Sequence, residues 1–196
     1  ICVNQEGNRF VDETEDQVEV REVALEQQTD AVQYDIFSSN IVEYLTANPM
    51  VSVFYTYFFA DGMPYSKYVV SADSLEELAE KIGVPAENLV ATVENYNAHV
   101  ESGEPDEFGR QFTEDSLNSY NVAINKIEGD KYYAVALKAL CVMTLGGVSI
   151  NENAQVLDTE GNVIPGLYAA GECTNVWGRF VSGGTGVMGP IVFGRL

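Results

Sequence analysis

Ile164-Pro165-Gly166-Leu167-Tyr168-Ala169-Ala170-Gly171-Glu172 sets a short extended run between two glycines and closes it with an acid. Residues 166 to 170 read as a strand. A hairpin precedes them, centred on Asp158-Thr159-Glu160-Gly161-Asn162, where Asp, Gly and Asn supply the turn chemistry. The run opens a segment, residues 166 to 196, that holds eight of the seventeen glycines and a single acid, Glu172. Such a composition serves places where backbone must approach backbone or a ligand closely.

Toward the C-terminus, Gly184-Thr185-Gly186-Val187-Met188-Gly189 matches G-x-G-x-x-G literally. The dinucleotide fingerprint also needs a following βαβ unit and an acid about twenty residues on. Only seven residues follow Gly189, so the match fails as a Rossmann signal. The local physics remains open to two readings. Gly183 and Gly184 lead into an apolar, helical segment whose free amides and positive dipole end can hold a carbonyl or anion. Alternatively, the glycines form a tightly packed turn.

Toward the N-terminus, residues 132 to 137 and 148 to 150 read as strands, and the pattern changes near Glu128-Gly129-Asp130, the expected domain boundary. The earlier part is mixed. Cys2-Val3-Asn4, a turn at residues 5 to 8 and Arg9-Phe10-Val11 form a hairpin, and residues 50 to 59, β-branched and aromatic, form a buried strand. Ser74-Leu75-Glu76-Glu77 is a capping box; Leu75, Leu78, Ala79 and Ile82 follow at helical spacing until Gly83. A second helix begins around Pro85, lines up Leu89, Val93, Tyr96 and Val100, and stops before Gly103. His99, the sole histidine, falls off that stripe and reads as a solvated helix residue.

With 46% hydrophobic and 11% aromatic residues, the 196-residue chain can bury a core, which excludes wholesale disorder. Its net charge of −20 repels phosphate backbones and anionic lipid, so nucleic acid and membrane surfaces are excluded as partners. No apolar run is long enough for a membrane span. Cys2, Cys141 and Cys173 are odd in number and widely spaced, which gives no disulfide framework and no metal site; each reads as a small buried hydrophobe. Ile1 and the ending at Phe193-Gly194-Arg195-Leu196 read as the ends of a piece of a longer protein.

The order of Gly7-Asn8-Arg9-Phe10-Val11-Asp12-Glu13, Ser71-Ala72-Asp73-Ser74-Leu75-Glu76-Glu77-Leu78-Ala79, Tyr96-Asn97, Thr144-Leu145-Gly146-Gly147-Val148, the 164 to 172 run and Val192-Phe193-Gly194-Arg195 closely resembles the C-terminal half of the fumarate reductase flavoprotein family, which includes soluble flavocytochrome c. The resemblance runs the length of the chain. It implies an α+β chain: residues 1 to 13 end one segment of an FAD-binding domain, 14 to 130 form a mixed capping domain, and 131 to 196 return as the β-rich C-terminal segment of that Rossmann-like domain. The N-terminal βαβ unit that would hold the ADP half of FAD is then missing, so the chain alone is expected to bind FAD weakly or not at all. Gly146, Gly147, Glu172, Gly183, Gly184, Thr185, Gly186 and Val187 are the cofactor-binding residues that the resemblance implies.

In the family, hydride passes from flavin N5 to an alkene polarised by a carboxylate, a cap arginine delivers the proton, and a histidine and a second arginine clamp the substrate. Here Met143 stands where that histidine belongs, and Val181 stands at the clamp arginine, with Arg179 two residues away. No arginine occurs between Arg21 and Arg110, where the proton donor is expected. Glu13 matches the proton-relay glutamate. Tyr55 and Tyr57 could supply a proton through a perturbed phenol, or they are core aromatics of a buried strand. The expectation is an FAD-dependent oxidoreductase that reduces or forms a carbon-carbon double bond beside a carbonyl or carboxylate, on a small-molecule substrate other than fumarate. The electron donor is not legible. The alternative is a catalytically degenerate interaction or regulatory module on the flavoprotein fold.

Overall fold

The computed structural model describes residues 1–15, 17–47, 66–112, 125–139, 146–177 and 185–194, which fall into two compact units, Ile1–Ala139 and Leu140–Leu196. Both helices and sheets build the chain.

The first unit carries a four-stranded antiparallel sheet. Its strands are β1 (Cys2–Val3), β2 (Val32–Ser38), β3 (Val69–Ala72) and β4 (Tyr132–Lys138), in the order β1-β2-β4-β3. Two helices beside β2 are α1 (Val18–Glu26) and α2 (Ser39–Ala47). The pairing Ile36↔Ala134 centres the sheet, and both residues are buried. Against it pack α3 (Leu75–Ile82) and α4 (Ala86–Ser102), which join Val3, Ile36 and Ala134 to Leu78, Ala79, Leu89, Val93 and Tyr96 in one core.

The two expected helices form for the expected reasons. Ser74 Oγ accepts from the Glu77 amide at 3.1 Å, and the Glu77 carboxylate reaches back to the Asp73 amide at 3.0 Å. Gly83 and Gly103 end α3 and α4 at φ 78° and 74°, in the left-handed region that glycine adopts without a Cβ clash. Leu78, Leu89, Val93 and Tyr96 are buried, while Leu75, Ile82 and Val100 are half-buried against the core. The N-terminal hairpin exists as a Val3↔Arg9 bridge, closed by the Asn4 amide on the Asn8 carbonyl at 2.9 Å.

Several expectations change. The first compact unit runs through Ala139, held by β4 between β2 and β3 and by the Asp130 amide, which donates to Ser39 Oγ at 3.1 Å. His99 is half-buried and stacks on Phe112, with ring centroids 6.0 Å apart. Cys2 is half-buried and Cys173 exposed, so neither is the buried hydrophobe expected. The strand expected over residues 50 to 59 lies outside the described residues.

The second unit contains β5 (Gln155–Leu157) and β6 (Val163–Tyr168), an antiparallel hairpin, and α5 (Thr185–Phe193). The 148 to 150 strand reduces to single bridges, Val148↔Thr174 and Ile150↔Val156.

Candidate functional site

In the first unit, charge collects where the hairpin meets α4. Arg9 grips Glu13 with two prongs, Nε to Oε1 at 2.9 Å and Nη2 to Oε2 at 2.7 Å, and reaches Asp106 Oδ2 with Nη1 at 2.7 Å. Arg110 Nη1 donates to the same Glu13 Oε2 at 2.9 Å, and the Cys2 amide donates to Oε1 at 2.9 Å. Asp106 Oδ1 accepts from the Phe108 and Arg110 amides, a loop closure that presents Arg110 to Glu13. Tyr96 lies under both guanidiniums, 5.5 Å from Arg9 and 5.3 Å from Arg110, while Phe108 and Phe112 flank them. The buried Arg110 Nε has no hydrogen-bond partner, and its guanidinium lies against aromatic faces instead.

These contacts set the ionisation. Burial alone would raise the Glu13 carboxyl, but the Arg9 hydrogen bonds and the charges of Arg9 and Arg110 carry it well below its ordinary value, to about 2. Burial pulls Arg9 the other way, yet Glu13 and Asp106 outweigh it and raise the guanidinium above its usual value. Burial raises the Tyr96 phenol, partly offset by Arg110. Beside Arg9, a cleft of about 240 Å³ is lined by Asn8, Asn88, Thr92 and Asn95. Its floor is hairpin packing: Asn88 Nδ2 donates to the Glu6 carbonyl and Thr92 Oγ1 to the Gly7 carbonyl, both at 2.8 Å.

In the second unit, glycine backbone does the positioning. Gly147, at φ +137°, lies so close to the Cys173 carbonyl that a Cβ would collide with it, and the neighbouring Val148 amide donates to that carbonyl at 3.0 Å. The loop bearing Glu172 is thereby fixed beside Gly146-Gly147. Gly171, at φ +87°, leaves room for Pro190 of α5, whose Cγ would stand 2.8 Å from an added Cβ. Thr174 Oγ1 and the Thr174 amide both return to the Gly171 carbonyl, at 2.7 and 3.1 Å. At Gly146, φ +94°, a side chain would meet no other described residue within 4 Å.

Among the sequence-derived site residues, Gly146, Gly147 and Glu172 come together, and Thr185, Gly186 and Val187 form the first turn of the helix that Gly171 abuts. Glu172 is exposed. Glu13 lies in the first unit, inside the arginine cluster. Tyr55, Tyr57, Met143, Arg179, Val181, Gly183 and Gly184 lie outside the described residues. Sequence reasoning missed Arg9, Asp106 and Arg110. In a chain with ten cations against thirty acids, arginines followed closely by aromatics, Arg9-Phe10 and Arg110-Gln111-Phe112, were an available signal. Among the described residues no cluster could hold a metal ion, and no helix is long and apolar enough to cross a membrane.

The chain is a mixed helix and sheet protein whose second unit is organised by close glycine backbone. The chain is a member of the FAD binding domain family, whose sequence profile matches residues 1–187. It is 34% identical over 200 residues to a urocanate reductase of Eggerthella lenta, covering 100% of this chain and 30% of that protein. An NADH:acrylate oxidoreductase of Vibrio harveyi is 32% identical over 197 residues, covering 100% of this chain and 18% of that one. Among solved structures, the open conformation of a flavocytochrome c3 fumarate reductase superposes with a TM-score of 0.73 at 29% identity, over 100% of this chain and 31% of the other. The chain thus spans under a third of the length of these relatives.

Proposed function

We propose that the chain is part of an FAD-dependent oxidoreductase that reduces, or forms, a carbon-carbon double bond next to a carbonyl or carboxylate. Residues 14 to 130 act as a cap in this reading, and 131 to 196 as the returning segment of the flavin domain. The observation that carries it is the Gly147 contact with Cys173, which fixes the Glu172 loop beside the glycine pair Gly146-Gly147. Side-chain-free backbone of this kind fits a flat ring system, and the family match gives that ring its identity.

Gly146, Gly147, Gly183, Gly184 and Gly186 would line the flavin, with the Gly186 and Val187 amides toward the pyrimidine end, where negative charge accumulates on reduction. Glu172 would hold the ribityl side. When bound, FAD would supply the hydride for reduction of the double bond, or accept it where the double bond is formed. Urocanate, acrylate and fumarate, the compounds in the relatives' names, are each an alkene conjugated to a carboxylate. That supports the bond class.

Met143 and Val181 argue for a substrate other than fumarate, because neither side chain carries charge and a dicarboxylate needs compensating charge on burial. Arg179 alone would hold one carboxylate, which admits a monocarboxylic enoate. Tyr55 and Tyr57 are the proposed proton donors of the cap. The test is anaerobic photoreduction of the full-length protein followed by reoxidation with aryl enoates, enones and fumarate. Flavin absorbance with fast reoxidation by an enoate or enone and slow reoxidation by fumarate is expected. A protein without flavin, or fumarate turnover matching the best enoate, would overturn the reading.

A further inference from the structure

The N-terminal hairpin is tied to the rest of the first unit on two sides. On one side β1 pairs with β2 through Cys2↔Asp35 and Val3↔Tyr34, and Asn4 Nδ2 donates to Gln28 Oε1 at 3.0 Å. On the other the turn docks on α4. Gly7, at φ +78°, brings its backbone so near that a Cβ would stand 3.1 Å from the Leu89 amide nitrogen, while Asn88 and Thr92 donate to the Glu6 and Gly7 carbonyls.

Past the turn, Arg9, Glu13, Asp106 and Arg110 close a ring of charge. Four guanidinium-carboxylate hydrogen bonds hold it, three from Arg9 and one from Arg110. Two cations and two anions sum to zero, so the ring is buried as a neutral whole, and opening it strands charges that are 2% exposed on both arginines and 0% on Asp106. Glu13 has two donors on each oxygen: Arg9 Nε and the Cys2 amide on Oε1, Arg9 Nη2 and Arg110 Nη1 on Oε2. A carboxylate offers about four lone-pair sites, so Glu13 is fully spent as an anchor. Asp106 fixes the other end, because its Oδ1 accepts from the Phe108 and Arg110 amides of its own loop.

A hinge is a short stretch that changes φ and ψ without dragging contacts along. Residues 14 to 17, where the proposed cap begins, do not meet that condition. The Thr14 and Glu15 amides donate to Asp12 Oδ1 and the Asp12 carbonyl at 2.7 and 3.2 Å, and a bend there would pull β1 off β2 and open the charge ring at once.

We propose that the ring is a latch that makes Cys2–Glu13 part of the cap, so that the hairpin, α4 and the 103 to 112 loop move as one body and any displacement of the cap carries Glu13 with it. This rests on the reading of the first unit as a cap, and it takes the start of that cap from residue 14 back to residue 2. Glu13 is then a fixed anchor that rides on the cap.

The test is hydrogen-deuterium exchange on the full-length protein, read by mass spectrometry at low urea. In the native protein the hairpin amides and the α4 amides should open together, with one urea dependence. In Glu13→Gln and in Arg110→Met, protection of Asn4 and Gly7 in the hairpin and of Phe108 and Gly109 in the loop should fall together by about tenfold or more, the scale of one lost charge-assisted hydrogen bond, with α3 unchanged. A hairpin that opens apart from α4 in the native protein, or a loss confined to one of the two segments or spread evenly over the unit in the variants, would overturn the latch. The native measurement holds even where a variant does not fold. A second arm reads function: Asn8→Cys with Asn95→Cys, on the hairpin and α4 walls of the cleft beside Arg9, joined by a short bis-maleimide. Turnover of an enoate should match that of each single variant treated alike, since the linker spans one body, and loss of turnover on linking alone would overturn the proposal. A full-length protein without flavin would sink the oxidoreductase reading and leave the exchange result standing.

Discussion

Gly147 and Cys173 lie back to back, with the Cys173 carbonyl occupying the space where a Cβ of residue 147 would be. Both the left-handed φ of +137° and this contact exclude a side chain. Gly147→Ala therefore combines backbone strain of about 1–3 kcal/mol with overpacking of about 1–3 kcal/mol. At Gly146 the backbone term applies, and among the described residues its Cβ would meet nothing within 4 Å. Urea unfolding of the full-length protein should place Gly147→Ala well below Gly146→Ala in stability. Equal losses would show that the contact does not matter.

Gly186→Val is the complementary change. It lies in the first turn of α5, where the proposed flavin contact needs free amides. Flavin content after gel filtration should fall by more than tenfold, with a small change in Tm. Unchanged flavin content would count against the assignment.

Asn97 holds both backbone polar groups of Ile127: Oδ1 accepts from the Ile127 amide at 2.8 Å, and Nδ2 donates to the Ile127 carbonyl at 3.1 Å. Ile127 is 2% exposed, so water cannot replace either bond easily. Asn97→Leu leaves two backbone groups unsatisfied, at about 1–3 kcal/mol each. Asn97→Asp, which keeps the acceptor, should lose less. Thermal unfolding of both variants checks the order.

The Glu13 cluster makes acid stability predictable in sign. Its folded pKa, about 2, lies below the ordinary 4.5, so its contribution is fully present above that ordinary value and is lost as pH falls through the folded one. The contribution is on the order of 3 kcal/mol for a shift of this size. Stability should therefore fall steeply between about pH 4.5 and 2, and the slope should flatten in Glu13→Gln. An unaltered slope in that variant would place the acid sensitivity elsewhere.

Ser74→Ala removes the side-chain acceptor for the Glu77 amide and should cost about 0.5–2 kcal/mol. Ser74→Asp should restore most of it, because a carboxylate can cap the same amide. Tm differences between the two variants decide the point.

Local chemistry determined much of this protein from sequence alone. Ser74 and Glu77, Gly83 and Gly103 fix α3 and α4 by interactions within a few residues, and the Asp158 to Asn162 turn fixes the β5-β6 hairpin in the same way. Residues 32 to 38, although β-branched and aromatic at alternate positions, became strand β2 only through pairing with Cys2-Val3 on one side and β4 on the other. A strand is completed by partners distant in sequence, and that is also why β4, between β2 and β3, belongs to the first compact unit.

The site divides along the same line. Glycine has a distinctive backbone freedom wherever it occurs, so Gly146 and Gly147 stand out in the sequence, and in the structure the Val148↔Thr174 bridge brings Gly147 against Cys173. The arginine cluster was not legible, because Arg9 and Asp106 are 97 residues apart and meet only when the hairpin docks on α4. Sequence could name Glu13 as an acid. Only the tertiary structure decided that four donors, three of them charged, surround its carboxylate and hold it ionised.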